Sequence, residues 1–164
     1  MFSAGLLMPL DDFRRQLPER DKVDLDMISG CADRYRVSLI AAVLRWLQYT
    51  ARRAVLVVSR DGYILWSRAS QAALTTGAFF RTSGSPIAIP ANSFAGRQDM
   101  MVDGRAGVDL PPGVWFPEPV REMTIFAEQY DFAVTLLLLE NEYRYRQLGE
   151  EPEEDEYDRF MSRR

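Results

Sequence analysis

The sequence predicts an α+β protein in which N-terminal helices, including a helix-turn-helix-like pair, precede a small antiparallel sheet domain. Three observations lead to this prediction. Apolar residues recur at helical spacing up to residue 50, and the pattern changes to apolar, β-branched runs from residue 54 onward. Tight-turn residues then separate those runs, as they do in hairpins. Hydrophobic residues make up 47% of the chain, which is enough to fold it around a core.

Two helices are predicted from the apolar stripes of the first part. One stripe runs from Leu25 to Tyr35 and includes Cys31, and the other runs from Ile40 to Leu47. Ser38 precedes the second stripe, where its hydroxyl can accept a hydrogen bond from a free backbone N–H, so we predict that it caps that helix. Two amphipathic helices joined by about three residues have the form of a helix-turn-helix.

The segment before this pair begins with an apolar stretch. Residues 1–8 are predicted to form the last turns of a helix that Pro9 stops, and Asp11–Gln16 a further short helix with Phe13 inward. An exposed apolar start would make a sticky patch. We therefore expect residues 1–8 to be buried, either in a homodimer contact between two copies of the chain or against the sheet domain.

Strands are predicted in the second part. Ala54–Val58 and Tyr63–Ser67 form a hairpin around Asp61-Gly62, which supplies the positive φ that a tight turn needs. Val120–Tyr130 and Phe132–Glu140 form a second pair, and their threonine and valine content favours strand over helix for the leucine run. Shorter elements are expected between the two hairpins. They are a helix at Ala69–Leu74 and short strands at Phe79–Phe80 and Ile87–Ile89.

The composition changes twice along the chain and divides it into three parts. Residues 1–52 are predicted to be helical, and residues 53–148 are expected to fold independently as an antiparallel α+β domain of the sensor or interaction type. Residues 149–164 are predicted to be an acidic, flexible tail. Acids dominate Glu150–Asp158, which has few apolar residues to offset the entropy lost on ordering.

The composition also excludes several classes of function. The chain has 164 residues, a net charge of −4, no histidine and a single cysteine. A Ser-His nucleophile, a histidine-containing zinc site and an internal disulfide are therefore impossible. The acidic balance argues against a protein that coats nucleic acid over its whole surface. Leu136–Leu139 lies in an apolar run too short to span a bilayer, and nothing resembles a secretory signal, so we expect a cytoplasmic protein without a membrane partner.

Two segments within the first 47 residues carry a resemblance to a known family. Phe2-Ser3-Ala4-Gly5-Leu6-Leu7-Met8-Pro9 resembles the F-A-x-x-L-L-M-P stretch of ImmA/IrrE-type metallopeptidases, and Ile28–Leu47 is similar to the helix pair that follows in that family. In the family, an H-E-x-x-H helix and a glutamate ligand come first and hold the zinc. Residues matching them would lie before Met1. The resemblance therefore implies common descent, and for this chain it implies no catalytic residue, no metal site and no cofactor.

The resemblance leads to a non-catalytic function. ImmA/IrrE-type relatives are peptidases that cut repressors. We therefore expect this chain to be the regulatory or interaction portion of an ImmA/IrrE-like protein in bacterial transcriptional or stress control. The expected partner is a repressor-type protein or a small signal ligand. The alternatives are a DNA-binding helix-turn-helix regulator and a fragment of a zinc-dependent endopeptidase whose catalytic segment lies upstream.

Candidate ligand-binding residues follow from the same family. Some members carry a sensor-like C-terminal domain of the GAF or PAS type, and the hairpin around Asp61-Gly62 is compatible with one. Aromatic residues of the second part would line its pocket, although the same residues could equally be plain core. These candidates are Trp66, Phe79, Phe80, Trp115 and Phe116.

The helix pair supplies the candidate residues for DNA. Basic side chains around it could contact phosphates, whereas the start of its second helix offers mainly aliphatic side chains, which contact no base edge except a thymine methyl group. For that reason we favour a structural or protein-docking role for the pair over DNA binding. The nucleic-acid candidates are Arg34, Arg36, Ser38, Arg45, Arg52 and Arg53.

Overall fold

The protein has an α+β fold, which confirms the predicted class. The computed structural model describes residues 9–17, 23–97, 104–127 and 131–140, and within these ranges it contains four helices and one five-stranded sheet. The helices are α1 (Leu10–Gln16), α2 (Leu25–Tyr35), α3 (Leu39–Tyr49) and α4 (Gln71–Thr75). The strands are β1 (Arg53–Arg60), β2 (Tyr63–Ala69), β3 (Val108–Leu110), β4 (Val120–Ala127) and β5 (Phe132–Leu139).

Local capping interactions set the ends of the helix pair. The Asp24 side chain accepts a hydrogen bond from the backbone N–H of Met27 at 2.8 Å and begins α2. Arg36, with a φ of 54°, adopts the left-handed conformation that ends α2. The Ser38 hydroxyl accepts from the backbone N–H of Ala41 at 3.1 Å, so the prediction that Ser38 caps the second helix is confirmed.

The sheet is antiparallel throughout and has the strand order β2-β1-β5-β4-β3. Its two hairpin turns use left-handed residues, as the sequence predicts for Asp61-Gly62. The φ values are 53° at Asp61, 79° at Gly62 and 58° at Asp131. The leucine run lies in β5, at the centre of the sheet between β1 and β4, so its assignment to a strand is confirmed.

Each face of the sheet is covered by a different part of the chain. The helices cover one face, where Leu56, Met123 and Leu136 are fully buried in the same cluster as Phe13 of α1 and Trp46 of α3. The loops between β2 and β4, together with α4, cover the other face. The buried residues on that side are Val55, Val57, Ile64, Ala73, Ala78, Ala95, Trp115, Val120, Leu137 and Leu139. The result is three layers: helices, sheet and loops.

The expected boundary at residues 52/53 coincides with the start of β1. Side chains from both sides of that boundary nevertheless form one hydrophobic cluster. Ser70, the N-cap of α4, strengthens the junction because its hydroxyl donates to the carbonyl of Arg52 at 2.7 Å and accepts from the N–H of Ala54 at 3.0 Å. Independent folding of residues 53–148 stays a prediction, and this packing argues against it.

The segment between the hairpins departs from the predicted strands. Phe79–Phe80 is not a strand, because the chain leaves α4 at Gly77 and the two aromatic rings pack through their side chains. Ile87–Ile89 makes only one bridge, Tyr63 to Ala88, because prolines on both sides of it remove backbone donors. The three-residue strand β3 was not predicted, since so short a run has no recognisable period.

Two further predictions concern residues outside the described ranges. They are the burial or homodimer contact of residues 1–8 and the acidic tail at residues 149–164. Within the described part of the chain, no helix is long and apolar enough to cross a membrane.

Candidate ligand-binding site

A cavity of about 370 Å³ lies at the end of the sheet where the two hairpin turns meet the loop layer. Both hairpins contribute to it, together with two residues of the loop between β2 and β3. Its volume falls in the range of small-molecule sites in proteins, roughly 300–1,000 Å³. The lining residues are Ser59, Arg60, Asp61, Gly62, Ile89, Ala95, Phe126, Ala127, Asp131, Phe132 and Ala133.

The floor of the cavity is a row of side chains that crosses three strands. Ser59 of β1 pairs with Ala133 of β5, which pairs with Phe126 of β4. Serine and alanine are small, so space remains above the sheet where the neighbouring row, with Val57 and Thr135, is filled. The absence of bulk on two adjacent strands therefore creates the cavity.

Ser59 is the buried polar group of this floor. Its side chain is 5% exposed, and among the described residues its hydroxyl has no hydrogen-bond partner. The hydroxyl oxygen is not one of the fully buried polar atoms without a partner, so it stays accessible from the cavity. A polar ligand atom in the cavity can form a hydrogen bond with it.

A fully buried carboxylate fixes one wall of the cavity. Glu122 of β4 is 0% exposed and accepts hydrogen bonds from the backbone N–H of Ala95 at 2.6 Å and of Phe94 at 3.1 Å. It also accepts from the indole N–H of Trp115 at 2.8 Å and the hydroxyl of Thr124 at 3.0 Å. Four donors replace the water that the carboxylate loses on burial. Glu122 thereby holds the wall residue Ala95 against the sheet.

The loop that carries this wall is tightly closed on itself. The Ser93 hydroxyl donates to the carbonyl of Pro90 at 2.6 Å and accepts from the N–H of Gly96 at 3.0 Å. A Cβ at Gly96 would lie 2.4 Å from the Pro90 carbonyl oxygen, so only glycine fits there. The loop backbone is therefore closely packed at this part of the wall.

The mouth of the cavity carries charges on the hairpin turns. Asp61 and Asp131 are exposed, and within the described residues neither carboxylate forms an ion pair or a side-chain hydrogen bond. Arg60 lies beside Asp61 and already interacts with other groups of the chain. No group of three or more His, Cys, Asp or Glu side chains that could hold a metal ion occurs in the described ranges.

The aromatic candidates from the sequence separate into groups, and none of them lines this cavity. Phe80 stacks on Phe116 with ring centroids 4.8 Å apart and meets Trp115 edge-on at 5.9 Å. This trio packs under the loop layer. Phe79 lies beside Arg81 instead, and Trp66 packs on the opposite, helix-covered face of the sheet. Trp66 and the trio therefore cannot share one pocket, and ligand binding by the trio stays a prediction.

The basic candidates are also divided. Arg53 is 4% exposed, pairs with the Glu118 carboxylate, and donates to the hydroxyl of Thr76 and the carbonyl of Glu140. It is therefore unavailable to a phosphate. Ser38 is occupied as the N-cap of α3.

The remaining basic candidates lie nearer the surface. Arg34 lies 3.6 Å from Asp12, Arg36 is exposed at the end of α2, and Arg45 donates to Gln48 at 2.6 Å. Arg52 is half-buried beside Ser70. These residues surround the helix pair. The first turn of α3, where a recognition helix carries its base-contacting side chains, contains no arginine.

Sequence reasoning missed the cavity residues. The sequence predicts Ser59-Arg60-Asp61-Gly62 as a tight turn and not as part of a site, whereas the structure extends β1 to Arg60 and so places Ser59 in the sheet. No local pattern marks them, because the cavity depends on which residues of three strands are in register.

A scan against protein-family models finds no match for this chain, and a search of curated proteins finds none either.

Proposed function

We propose that this chain is a non-catalytic regulatory domain that binds a small signal ligand in the cavity between its two hairpin turns. The observation that carries the proposal is the Ser59 hydroxyl, which has no partner among the described residues and lies in the floor of a space of about 370 Å³. A concave space with polar groups that fix the orientation of a ligand is the usual form of a small-molecule site.

The chemistry of the cavity supports binding rather than catalysis. Asp61 and Asp131 are exposed to water. A carboxyl group that acts as a general acid or base at neutral pH is generally buried. Glu122 is buried, but four donors occupy its oxygens. Ser59 has no histidine to activate it, since the chain has none.

The resemblance of the first 47 residues supplies the biological setting of the proposal. An ImmA/IrrE-like protein of bacterial transcriptional or stress regulation would use such a domain to respond to a ligand, with a repressor-type protein as its partner. The antiparallel sheet, with its first and last strands adjacent at the centre, is in keeping with a GAF- or PAS-like sensor. That part of the argument is fold analogy, and the cavity carries the rest.

The test is a screen for ligands that raise the melting temperature of the full chain. The same measurement is then repeated on a variant in which a larger side chain fills the floor of the cavity. Ser59→Val replaces the hydroxyl of the floor with two methyl groups and introduces a residue that favours strands. Ser85→Val, in the exposed loop outside the cavity, is the matched control. We expect binding to weaken at least tenfold in Ser59→Val and to stay unchanged in Ser85→Val.

Two outcomes would contradict the proposal. One is a broad panel of small molecules in which none raises the melting temperature. The other is a ligand that binds Ser59→Val as tightly as the original chain, because its site would then lie elsewhere.

The alternative functions predict different measurements. A DNA-binding regulator would bind duplex DNA with an affinity that falls steeply with salt, and Arg36→Ala would weaken it. A fragment of a zinc endopeptidase would regain zinc and peptidase activity when its upstream genomic sequence, with an in-frame H-E-x-x-H, is added. Neither result is expected if the cavity is the functional site of a non-catalytic domain.

A further inference from the structure

We infer that the cavity selects a small organic cation, an ammonium group on a compact apolar body. The inference rests on the proposed function, since it specifies the ligand of the same cavity. It follows from three features that occur together: acidic groups at the mouth, one aromatic ring with aliphatic side chains in the lining, and a serine hydroxyl at the floor.

The charge at the mouth favours a cation. Asp61 and Asp131 contribute two carboxylates, and within the described residues neither has an ion-pair partner. Arg60 contributes one guanidinium, which is already engaged with other groups of the chain. The lining therefore has an excess of one negative charge, and its uncompensated groups are the carboxylates. A ligand carboxylate or phosphate would face both of them.

The lining favours an organic cation over a metal ion. The ring of Phe126 lines the cavity, and an aromatic ring attracts an ammonium group placed over its face. Phe132 also borders the cavity, but its side chain packs with the helix-side cluster. The other lining residues, among them Ile89 and Ala95, are largely aliphatic and offer no metal ligands. A hard divalent cation requires about six oxygen ligands, and the described residues hold no cluster of three acidic or otherwise metal-binding side chains.

The Ser59 hydroxyl in the floor of the cavity is an observation independent of the charges at the mouth. Ser59 is 5% exposed and its hydroxyl has no partner among the described residues, so it can accept a hydrogen bond from an N–H or O–H of a ligand that reaches it. The carboxylates at the mouth and this hydroxyl at the floor define two polar contacts of the cavity. A ligand with one charged end fits that pattern.

The test compares three probes with nearly the same carbon skeleton. These are 2-phenylethylamine, which is cationic, 2-phenylethanol, which is neutral, and phenylacetate, which is anionic. Binding of each to the full chain is measured by calorimetry at low and at moderate salt. We expect the amine to bind at least tenfold more tightly than either of the others, and its advantage to shrink as salt screens the carboxylates.

Variants assign that preference to the mouth. Asp61→Asn and Asp131→Asn each remove one charge and keep the turn, because asparagine tolerates the left-handed conformation that both positions adopt. We expect each to weaken amine binding about fivefold and to leave 2-phenylethanol binding unchanged. Asp109→Asn, an exposed carboxylate outside the cavity, is the matched control and should change neither.

The outcomes separate the inference from the proposed function. If phenylacetate or 2-phenylethanol binds as tightly as the amine, or if no probe binds below millimolar concentration, the cation inference is wrong. The cavity would still be a ligand site if another molecule from the wider screen binds in a manner sensitive to Ser59→Val. If that screen also fails, the proposed function fails with it.

Discussion

At the residue scale, the buried carboxylate of Glu122 determines the shape of the cavity wall. Its two oxygens accept from the backbone of Phe94 and Ala95, from Trp115 and from Thr124. We predict that Glu122→Gln lowers the free energy of unfolding by about 2–3 kcal/mol, because the amide N–H₂ would point at donors and leave them unsatisfied. Denaturant unfolding measures the loss, and the fluorescence of Trp115 should shift as its hydrogen bond is lost.

The matched control for this change is Glu140→Gln. The Glu140 side chain is exposed, so the same chemical substitution should alter stability by less than about 0.5 kcal/mol. Equal effects at the two positions would mean that the four hydrogen bonds of Glu122 do not hold the wall.

Arg53 is the second residue whose role depends on burial. Its guanidinium pairs with Glu118 and is 4% exposed, whereas its neighbour Arg52 is half-buried. We predict that Arg53→Met costs about 2–3 kcal/mol of stability, because it leaves the partly buried Glu118 carboxylate, 15% exposed, without a counter-charge. Arg52→Met should cost much less. Thermal or urea unfolding of the two variants gives the comparison, and equal small effects would show that the pair is not structural.

At the scale of elements, α1 is attached to α2 through a polar contact. The Tyr35 hydroxyl donates to the Asp12 carboxylate, and Arg34 lies 3.6 Å from the same group. The hydrogen bond from Tyr35, followed by the charge of Arg34, holds the pKa of Asp12 below its ordinary value of 3.8. Burial, then the hydrogen bond to Asp12, raises the pKa of Tyr35 above 10.0. The contact therefore stabilises the pair when Asp12 is charged and Tyr35 is neutral.

The pH dependence of stability follows from these directions. Because the folded-state pKa of Asp12 is lowered, its contribution is present above pH 3.8 and is lost as the pH falls through the lowered value. Because that of Tyr35 is raised, its contribution is present below pH 10.0 and is lost as the pH rises through the raised value. The free energy of unfolding is measured with urea at a series of pH values. In Asp12→Asn it should fall less steeply as the pH is lowered. Asp11→Asn, at the exposed neighbouring position, should not show this change, and an identical pH dependence in both variants would contradict the assignment.

At the scale of the whole molecule, one hydrophobic cluster joins the helices to the sheet. Leu56, Met123 and Leu136 are 0% exposed under the helices, and Trp46 of α3 is 0% exposed against them. The sequence favours independent folding of residues 53–148, whereas this shared cluster favours the opposite. We predict that deleting residues 1–50 abolishes the cooperative thermal transition, since it exposes one whole face of the sheet to water.

A point variant in the full chain tests the same idea without a truncation. Trp46→Ala should cost about 3–5 kcal/mol, the usual loss when a large core side chain is removed. Gln48→Ala, exposed on the same helix, should cost less than about 0.5 kcal/mol. A cooperative transition in the deletion, together with a small effect of Trp46→Ala, would favour two separately folding parts.

The sequence by itself determined the α+β class, the Ser38 cap, the turn at Asp61-Gly62 and the strand assignment of the leucine run. Those features depend on interactions within a few residues, which periodicity and turn chemistry record. Only the tertiary structure decided the cavity and the roles of Glu122 and Arg53. Glu122 accepts from residues 27 and 28 positions away, and the space above Ser59 exists because small residues of separate strands align in register. Long-range pairing of this kind leaves no local pattern in the chain.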